Sequence, residues 1–304
     1  AGEDVVDLLD HTPLDEALVA IPSAGRDRLR QLYARLKRGG FSRIRILPGI
    51  SQIVDGEAHL IQTRDIDPED LLGRTPVRIR LKETLGYLRG KRVLVTGAGG
   101  SIGSELARQL LSAGVARLYL FGHGENSIYQ IDRELRILQE EGVGERTMIV
   151  PVIGDLQDEA FCTFIAQRLR ADVMFHTAAY KHVPMTEANP VASIQNNVFG
   201  TWNLARAAEQ AGTSRFVLIS TDKAVEPHNV YGVSKHIAER IVLSRRAADS
   251  QFMVVRFGNV LGSRGSVVPL FRTQIMKGGP VTVPHEDATS FFMTNSEAAS
   301  LVLK

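Results

Sequence analysis

The run Val93-Leu-Val95 passes into Gly97-Ala-Gly-Gly100-Ser-Ile-Gly103 and then into a helical pattern at Ile102, Leu106, Leu110 and Leu111. A buried strand, a glycine turn and a helix in direct succession leave few folds open to a chain. Residues without side chains let the backbone turn tightly and lie close to a ligand, and the following helix offers the positive end of its dipole above the turn. In that context the glycines cradle the pyrophosphate of a dinucleotide. Gly97, Gly100, Ser101, Ile102 and Gly103 are therefore read as cofactor-binding residues.

The alternation continues downstream. Short apolar runs at 117–121, 148–153, 172–177, 216–219 and 252–257 are separated by helical patterns. This order predicts an α/β domain over residues 91–304 built on a doubly wound parallel sheet of Rossmann type. Strand ends then name further residues. The second strand of such a unit usually ends in an acid that binds the adenosine ribose. Here Gly122-His123-Gly124 intervenes and Glu125 follows, so Glu125 takes that role, and NAD is favoured with NADP open. Asp155, beside Leu156 after the third strand, is placed to accept from the adenine amino group; a plain turn aspartate is the alternative. Ala178, Ala179 and Tyr180 follow the fourth strand, where small residues let the backbone lie against the cofactor ribose.

The densest chemistry follows the fifth strand, in Ser220-Thr221-Asp222-Lys223, with Tyr231 and Lys235 on the next helix. The i, i+4 spacing puts Tyr231 and Lys235 on one face. A neighbouring ammonium is expected to move a phenol from its usual pKa of ~10 towards working pH. Beyond the sixth strand, a glycine-rich loop carries Asn259, Arg264 and Ser266 and suits a second phosphate-bearing ligand. His176, His182 and His285 lack metal-ligand spacing, so no metal is expected.

Composition narrows the classes. Of 304 residues, 44% are hydrophobic and 23% charged, as in a soluble globular protein, and the net charge is +2 with no basic run interleaved with aromatics. Nucleic acid is not an expected partner. The basic stretch 26–38 reads as the wet side of a helix with Leu29, Leu32 and Leu36 inside. Cys162 is the one cysteine, in keeping with a reducing compartment. No apolar run reaches the ~18 residues of a membrane span, and no signal peptide is visible. Residues 1–64 read as a small, partial α/β unit, with strand patterns at 17–21 and 44–47, and 65–90 as a linker. Ala1 in place of methionine points to an excised fragment.

Together, Thr96-Gly-Ala-Gly-Gly-Ser-Ile-Gly103, Ala178-Ala-Tyr-Lys-His-Val-Pro184, Ser220-Thr-Asp-Lys-Ala224, Tyr231-x-x-x-Lys235 and Arg256-Phe-Gly-Asn-Val-Leu-Gly262 resemble the extended short-chain dehydrogenase/reductases. More narrowly they resemble CapD-type polysaccharide biosynthesis proteins, which are nucleotide-sugar 4,6-dehydratases. The likeness runs over residues 44–304. It implies a UDP-N-acetylhexosamine substrate, with Lys181, His182, Asn259, Arg264 and Ser266 around it. It also implies a cytoplasmic, homo-oligomeric enzyme of surface polysaccharide synthesis, whose full-length form is anchored at the inner membrane through a region before this one. Residues 1–64 look like the tail of the family's extra domain.

In the chemistry so implied, Tyr231 takes the proton of the sugar 4-hydroxyl while NAD accepts hydride from C4. Thr221 bonds the same oxygen, and Lys235 anchors the nicotinamide ribose. Lys223 removes the C5 proton, Asp222 protonates the departing 6-hydroxyl, and the hydride returns to C6. Three positions depart from the pattern: Gly122 stands where the ribose acid is usual, Ser290 where an arginine is usual, and Tyr231 where long members often have methionine. The end at Lys304 leaves part of the expected substrate lobe outside the chain. The rival readings are a 4-epimerase, which has no use for Asp222 and Lys223, and a non-catalytic nucleotide-binding regulator.

Overall fold

Apolar runs too short for helices and without strict alternation mark strands buried on both faces. The computed structural model describes residues 16–19, 21, 26–38, 41, 43–46, 64–65, 85–245, 249–261, 263, 270–271, 273–274, 277, 279–283, 285, 287 and 289–304. The chain divides into two units, Ala1–Pro76 and Val77–Lys304. In the first, β1 (Glu16–Val19) pairs in parallel with β2 (Arg43–Ile46) across helix α1 (Arg26–Arg38), and β3 (Arg64–Asp65) runs antiparallel to β2. Val19, Leu36, Phe41 and Ile44 form its core, with Leu32 packed against them.

The second unit opens on a buried 3-10 turn, Leu85–Leu88. The chain then alternates: β4 (Arg92–Thr96), α2 (Ser101–Ser112), β5 (Arg117–Gly122), α3 (Glu125–Glu140), β6 (Met148–Ile153), α4 (Glu159–Leu169) and β7 (Val173–His176). Short helices α5 (Val183–Ala188) and α6 (Pro190–Ile194) lead through a π-helical turn, Gln195–Phe199, into α7 (Gly200–Gln210). Then come β8 (Arg215–Thr221), a 3-10 turn (Asp222–Ala224), α8 (Val230–Leu243) and β9 (Gln251–Phe257). The strands form one parallel sheet in the order β6-β5-β4-β7-β8-β9, the doubly wound arrangement.

Successive strand residues feed opposite cores. Val93, Val95, Leu118, Leu120, Phe175, Val217 and Ile219 meet α2 and α3, whereas Leu94, Tyr119, Phe121, Met174, Phe216 and Leu218 meet α4, α7 and α8. Phe175 and Phe216 are fully enclosed, and each such side chain contributes about 1.5–3 kcal/mol by leaving water. Order reversal between β4 and β7 opens a crevice at their carboxyl ends.

Two short strands complete the rim of that crevice. β10 (Asn259–Val260) pairs in parallel with β11 (Phe292–Met293). β11 is fixed by the helix after it, α9 (Asn295–Leu303), whose Thr294 and Glu297 form a reciprocal capping box. Residues 280–283 have no regular structure, and the partner of β10 is formed by Phe292 and Met293. Among the described residues, no helix is long and apolar enough to cross a membrane.

Candidate active site

Gly97 turns the chain out of β4 with φ +65°, and a Cβ there would lie 2.8 Å from the backbone of Ala178. The turn is thus pressed against the end of β7. Gly103 is as tightly placed, since its Cβ would meet the Gly97 carbonyl oxygen at 2.2 Å. Gly103→Ala is expected to cost about 1–3 kcal/mol through overpacking against backbone that cannot yield, read as a lowered melting temperature together with weakened dinucleotide binding.

Two cavities meet over this turn. One of about 310 Å³ is lined by Gly97, Gly100, Gly122, His123, Gly124, Ser127, Asp155, Leu156, Ala178 and Ala179, among others. The second, about 790 Å³, is lined by Gly100 to Gly103, Ala179 to His182, Ser220, Thr221, Lys223, Tyr231, Asn259 and Ser263, among others. Gly100, Thr177, Ala179 and Tyr180 belong to both, so the pair forms one cleft above the amino end of α2. A Cβ-free cradle, a positive helix end and a long cleft across the switch point fit a dinucleotide.

At the 310 Å³ end, Asp155 and Leu156 lie in the wall, and Asp155 Oδ1 accepts the amide of Gln157 at 2.9 Å. Glu125 does not line either cavity: it is the exposed first residue of α3. Its neighbours Gly122, His123 and Gly124 line the smaller cavity instead.

Tyr180 is held by a residue that no spacing rule singled out. Asn197 Oδ1 accepts the Tyr180 amide at 2.8 Å, and its Nδ2 donates to the Tyr180 carbonyl at 2.9 Å and to Ser234 Oγ at 3.0 Å. Asn197 is buried in the π-helical turn and ties the end of β7 to α8. The signal was present as a polar Gln195-Asn196-Asn197 run inside an apolar helical pattern.

The central cluster gathers at the carboxyl end of β8. Thr221 Oγ1 donates to Asp222 Oδ1 at 3.0 Å. Lys223 Nζ donates to the same oxygen at 3.1 Å and to Asn259 Oδ1 at 3.0 Å. Tyr231 lines the same cavity as Thr221, close enough for the hydroxyl to favour its phenolate. Burial pushes its phenol above the ordinary tyrosine range, the Thr221 hydroxyl opposes this, and the Asp222 charge adds to it.

Lys235 behaves differently from expectation. It is 3% exposed, and its ammonium donates to the Ile219 carbonyl at 2.6 Å. It lines neither cavity and is not what shifts Tyr231. Burial lowers its pKa to about 8, against the pull of Glu239. Glu239, also missed in the sequence, accepts from Ser220 Oγ at 2.5 Å and is clasped by Arg256, whose Nε donates at 2.8 Å. Burial works against the Glu239 charge, but the bonds from Arg256 and Ser220 hold its carboxyl below the ordinary range.

Lys181 and His182 stand exposed at the 790 Å³ cavity, and Lys181 Nζ is 3.5 Å from Ser263 Oγ. Although the residue as a whole is exposed, partial desolvation at the cavity wall draws the Lys181 amine below the usual lysine range. Arg264 and Ser266 lie outside the described residues, and Ser290 is exposed away from both cavities. His176 is held between Thr96 Oγ1 at 2.7 Å and Thr201 Oγ1 at 2.9 Å. Burial, helped by Lys235, pushes its pKa down to about 3.

That value has a stability consequence. Unfolded, the imidazole titrates near ~6.5, so between pH 6.5 and 3 the unfolded chain binds the extra proton and stability falls as pH falls. The contribution lost by pH 5 is about 2 kcal/mol, and His176→Gln is expected to remove that slope from urea melts taken between pH 7 and 5.

The family model described as polysaccharide biosynthesis protein matches residues 93–304. The chain is 43% identical over 304 residues to the capsular polysaccharide biosynthesis protein CapD of Staphylococcus aureus, covering 99% of this chain and 50% of that protein. It thus spans about half the length of that relative. It is 33% identical over 223 residues to a UDP-N-acetylglucosamine 4,6-dehydratase (inverting) of Campylobacter jejuni, covering 68% of this chain and 64% of that protein. It is also 31% identical over 225 residues to a UDP-glucose 4-epimerase of Rickettsia rickettsii, covering 70% and 62%.

Proposed function

Because this chain belongs to the polysaccharide biosynthesis protein family, of extended short-chain dehydrogenase/reductase type, we propose that it is a nicotinamide-dependent 4,6-dehydratase of a UDP-N-acetylhexosamine, serving surface polysaccharide synthesis. One observation carries the choice of dehydration over epimerisation. Lys223 Nζ and Asp222 Oδ1, 3.1 Å apart, stand beside Thr221 and Tyr231 at the larger cavity. Epimerisation at C4 needs a single acid/base, whereas loss of water across C5 and C6 needs two more groups.

A nicotinamide dinucleotide held in the cleft would supply a reversible hydride acceptor for the sugar's C4 and C6. Gly97, Gly100 and Gly103 would hold its pyrophosphate, Ala178 to Tyr180 its nicotinamide side, and Asp155 its adenine. Tyr231, as phenolate, takes the 4-hydroxyl proton, with Thr221 bonding the same oxygen. Once C4 is a ketone, the C5 proton is acidic and Lys223 as free amine removes it. Asp222 as carboxylic acid protonates the leaving 6-hydroxyl. Lys223 then returns its proton to C5.

The proton count closes. An ammonium paired with a carboxylate is one proton transfer from the amine and acid that the elimination uses, so no net protonation is needed to arm the pair. At the end of a cycle one proton has moved from Asp222 to Tyr231. Thr221, which donates to Asp222 and stabilises the Tyr231 phenolate, offers the route back.

Proton NMR of the product from UDP-N-acetylglucosamine tests the reading. A C6 methyl signal and a 4-keto sugar are the expected result. Conversion to the C4 epimer alone would replace dehydratase by epimerase, and no conversion with intact nucleotide binding would favour the regulator.

A further inference from the structure

We infer, resting on the dinucleotide site proposed above, that this site discriminates only weakly between NAD and NADP, because the place of the ribose acid is filled by packing. Discrimination in such folds comes from the end of the second strand. A carboxylate there accepts from the ribose 2′-hydroxyl and repels a 2′-phosphate, whereas a nearby cation does the reverse. In this chain β5 ends at Gly122, and a Cβ on Gly122 would lie 2.9 Å from Ile128 Cδ1 and 3.2 Å from its Cγ1. Ile128 is buried in the core between sheet and α3, so its side chain occupies the space that an acidic side chain at 122 would enter.

The rest of the wall at the end of β5 offers no carboxylate, lysine or arginine. His123, Gly124 and Ser127 line the cavity with Gly122, and Ser127 Oγ donates to the Gly124 carbonyl at 2.8 Å, leaving its lone pairs to accept. Among the described residues neither lysine nor arginine lines the 310 Å³ cavity, and the carboxylate in its wall is Asp155, after β6. Glu125 projects from the first turn of α3 into water, where its charge is screened. At the end of β5, therefore, a 2′-hydroxyl finds no carboxylate to accept from it and a 2′-phosphate finds neither a carboxylate nor a cation, the one carboxylate of the wall being Asp155 after β6. His123 and Glu125 are exposed here, so the phosphate also keeps much of its hydration.

Titration calorimetry of the purified chain with NADH and with NADPH measures this without turnover. Dissociation constants within about tenfold of each other are expected, against the ~10⁴ that a site built to hydrogen-bond one group can reach. A preference beyond about a hundredfold for either overturns the inference and leaves the dinucleotide reading intact. Binding of neither overturns both. Gly122→Asp combined with Ile128→Val makes room for a carboxylate and is expected to shift the ratio towards NADH by about thirtyfold or more, a shift that Ile128→Val alone does not give. Glu125→Gln is expected to leave the ratio within about threefold of wild type; a tenfold loss of NADH affinity would return the ribose contact to Glu125 and overturn the inference.

Discussion

Lys223→Met is expected to slow formation of the 4-keto-6-deoxy sugar by about 10³–10⁴-fold and to stop exchange of the C5 hydrogen with D2O. The size follows from chemistry. Removal of a proton α to a ketone is the step for which the lysine amine has no substitute in the cluster: Asp222 is committed to the leaving hydroxyl, and Asn259 has no basic lone pair. Folding is not expected to suffer. Lys223 and Asp222 are 38% and 47% exposed, and an ion pair so placed contributes about 0–1 kcal/mol. Methionine keeps the length of the stem against the cavity wall. A thermal melt within a few degrees of wild type, alongside lost exchange, would assign the effect to the missing amine. A variant retaining more than a fifth of wild-type turnover would remove Lys223 from the C5 step and with it the argument for dehydration.

The sheet was legible because both its faces are buried. Strands such as 93–95, 117–121 and 216–219 carry no alternation, but glycine turns and helical periods on either side leave them no other place. The cradle was equally plain, because Gly97 and Gly103 answer to backbone geometry that sequence displays directly. What escaped were contacts that depend on tertiary direction. The i, i+4 rule put Tyr231 and Lys235 on one face of α8, yet a lysine stem is long enough to choose its acceptor, and Lys235 turns to the Ile219 carbonyl. Glu239, Arg256 and Ser220 come from three separate elements, so no local pattern announces them. β11 escaped for a simpler reason, since a two-residue strand has no period to read.

The second large effect is expected of Tyr231→Phe, with turnover down by about 10³–10⁴-fold and the fold retained. Phenylalanine keeps the ring and gives up the hydroxyl's interaction with Thr221, a loss of about 1 kcal/mol. The pH profile carries the sharper evidence. With the phenol raised above its ordinary range by burial and by the Asp222 charge, the phenolate is a minor species in the free protein at neutral pH. A reaction that needs it as base must then gain about tenfold in kcat/KM for each pH unit below that pKa, until another group intervenes. Lys235, whose ammonium is lost as pH rises through about 8, is the nearest such group on the same helix. Residual activity in Tyr231→Phe should lose the rising limb altogether. Asp222→Asn removes the negative charge that disfavours the phenolate, so tyrosinate absorbance attributable to Tyr231 should appear at lower pH in that variant than in wild type. Should the tyrosinate titration stay where it was, Asp222 and Tyr231 are not electrostatically joined through Thr221, and the return path for the proton must be sought elsewhere.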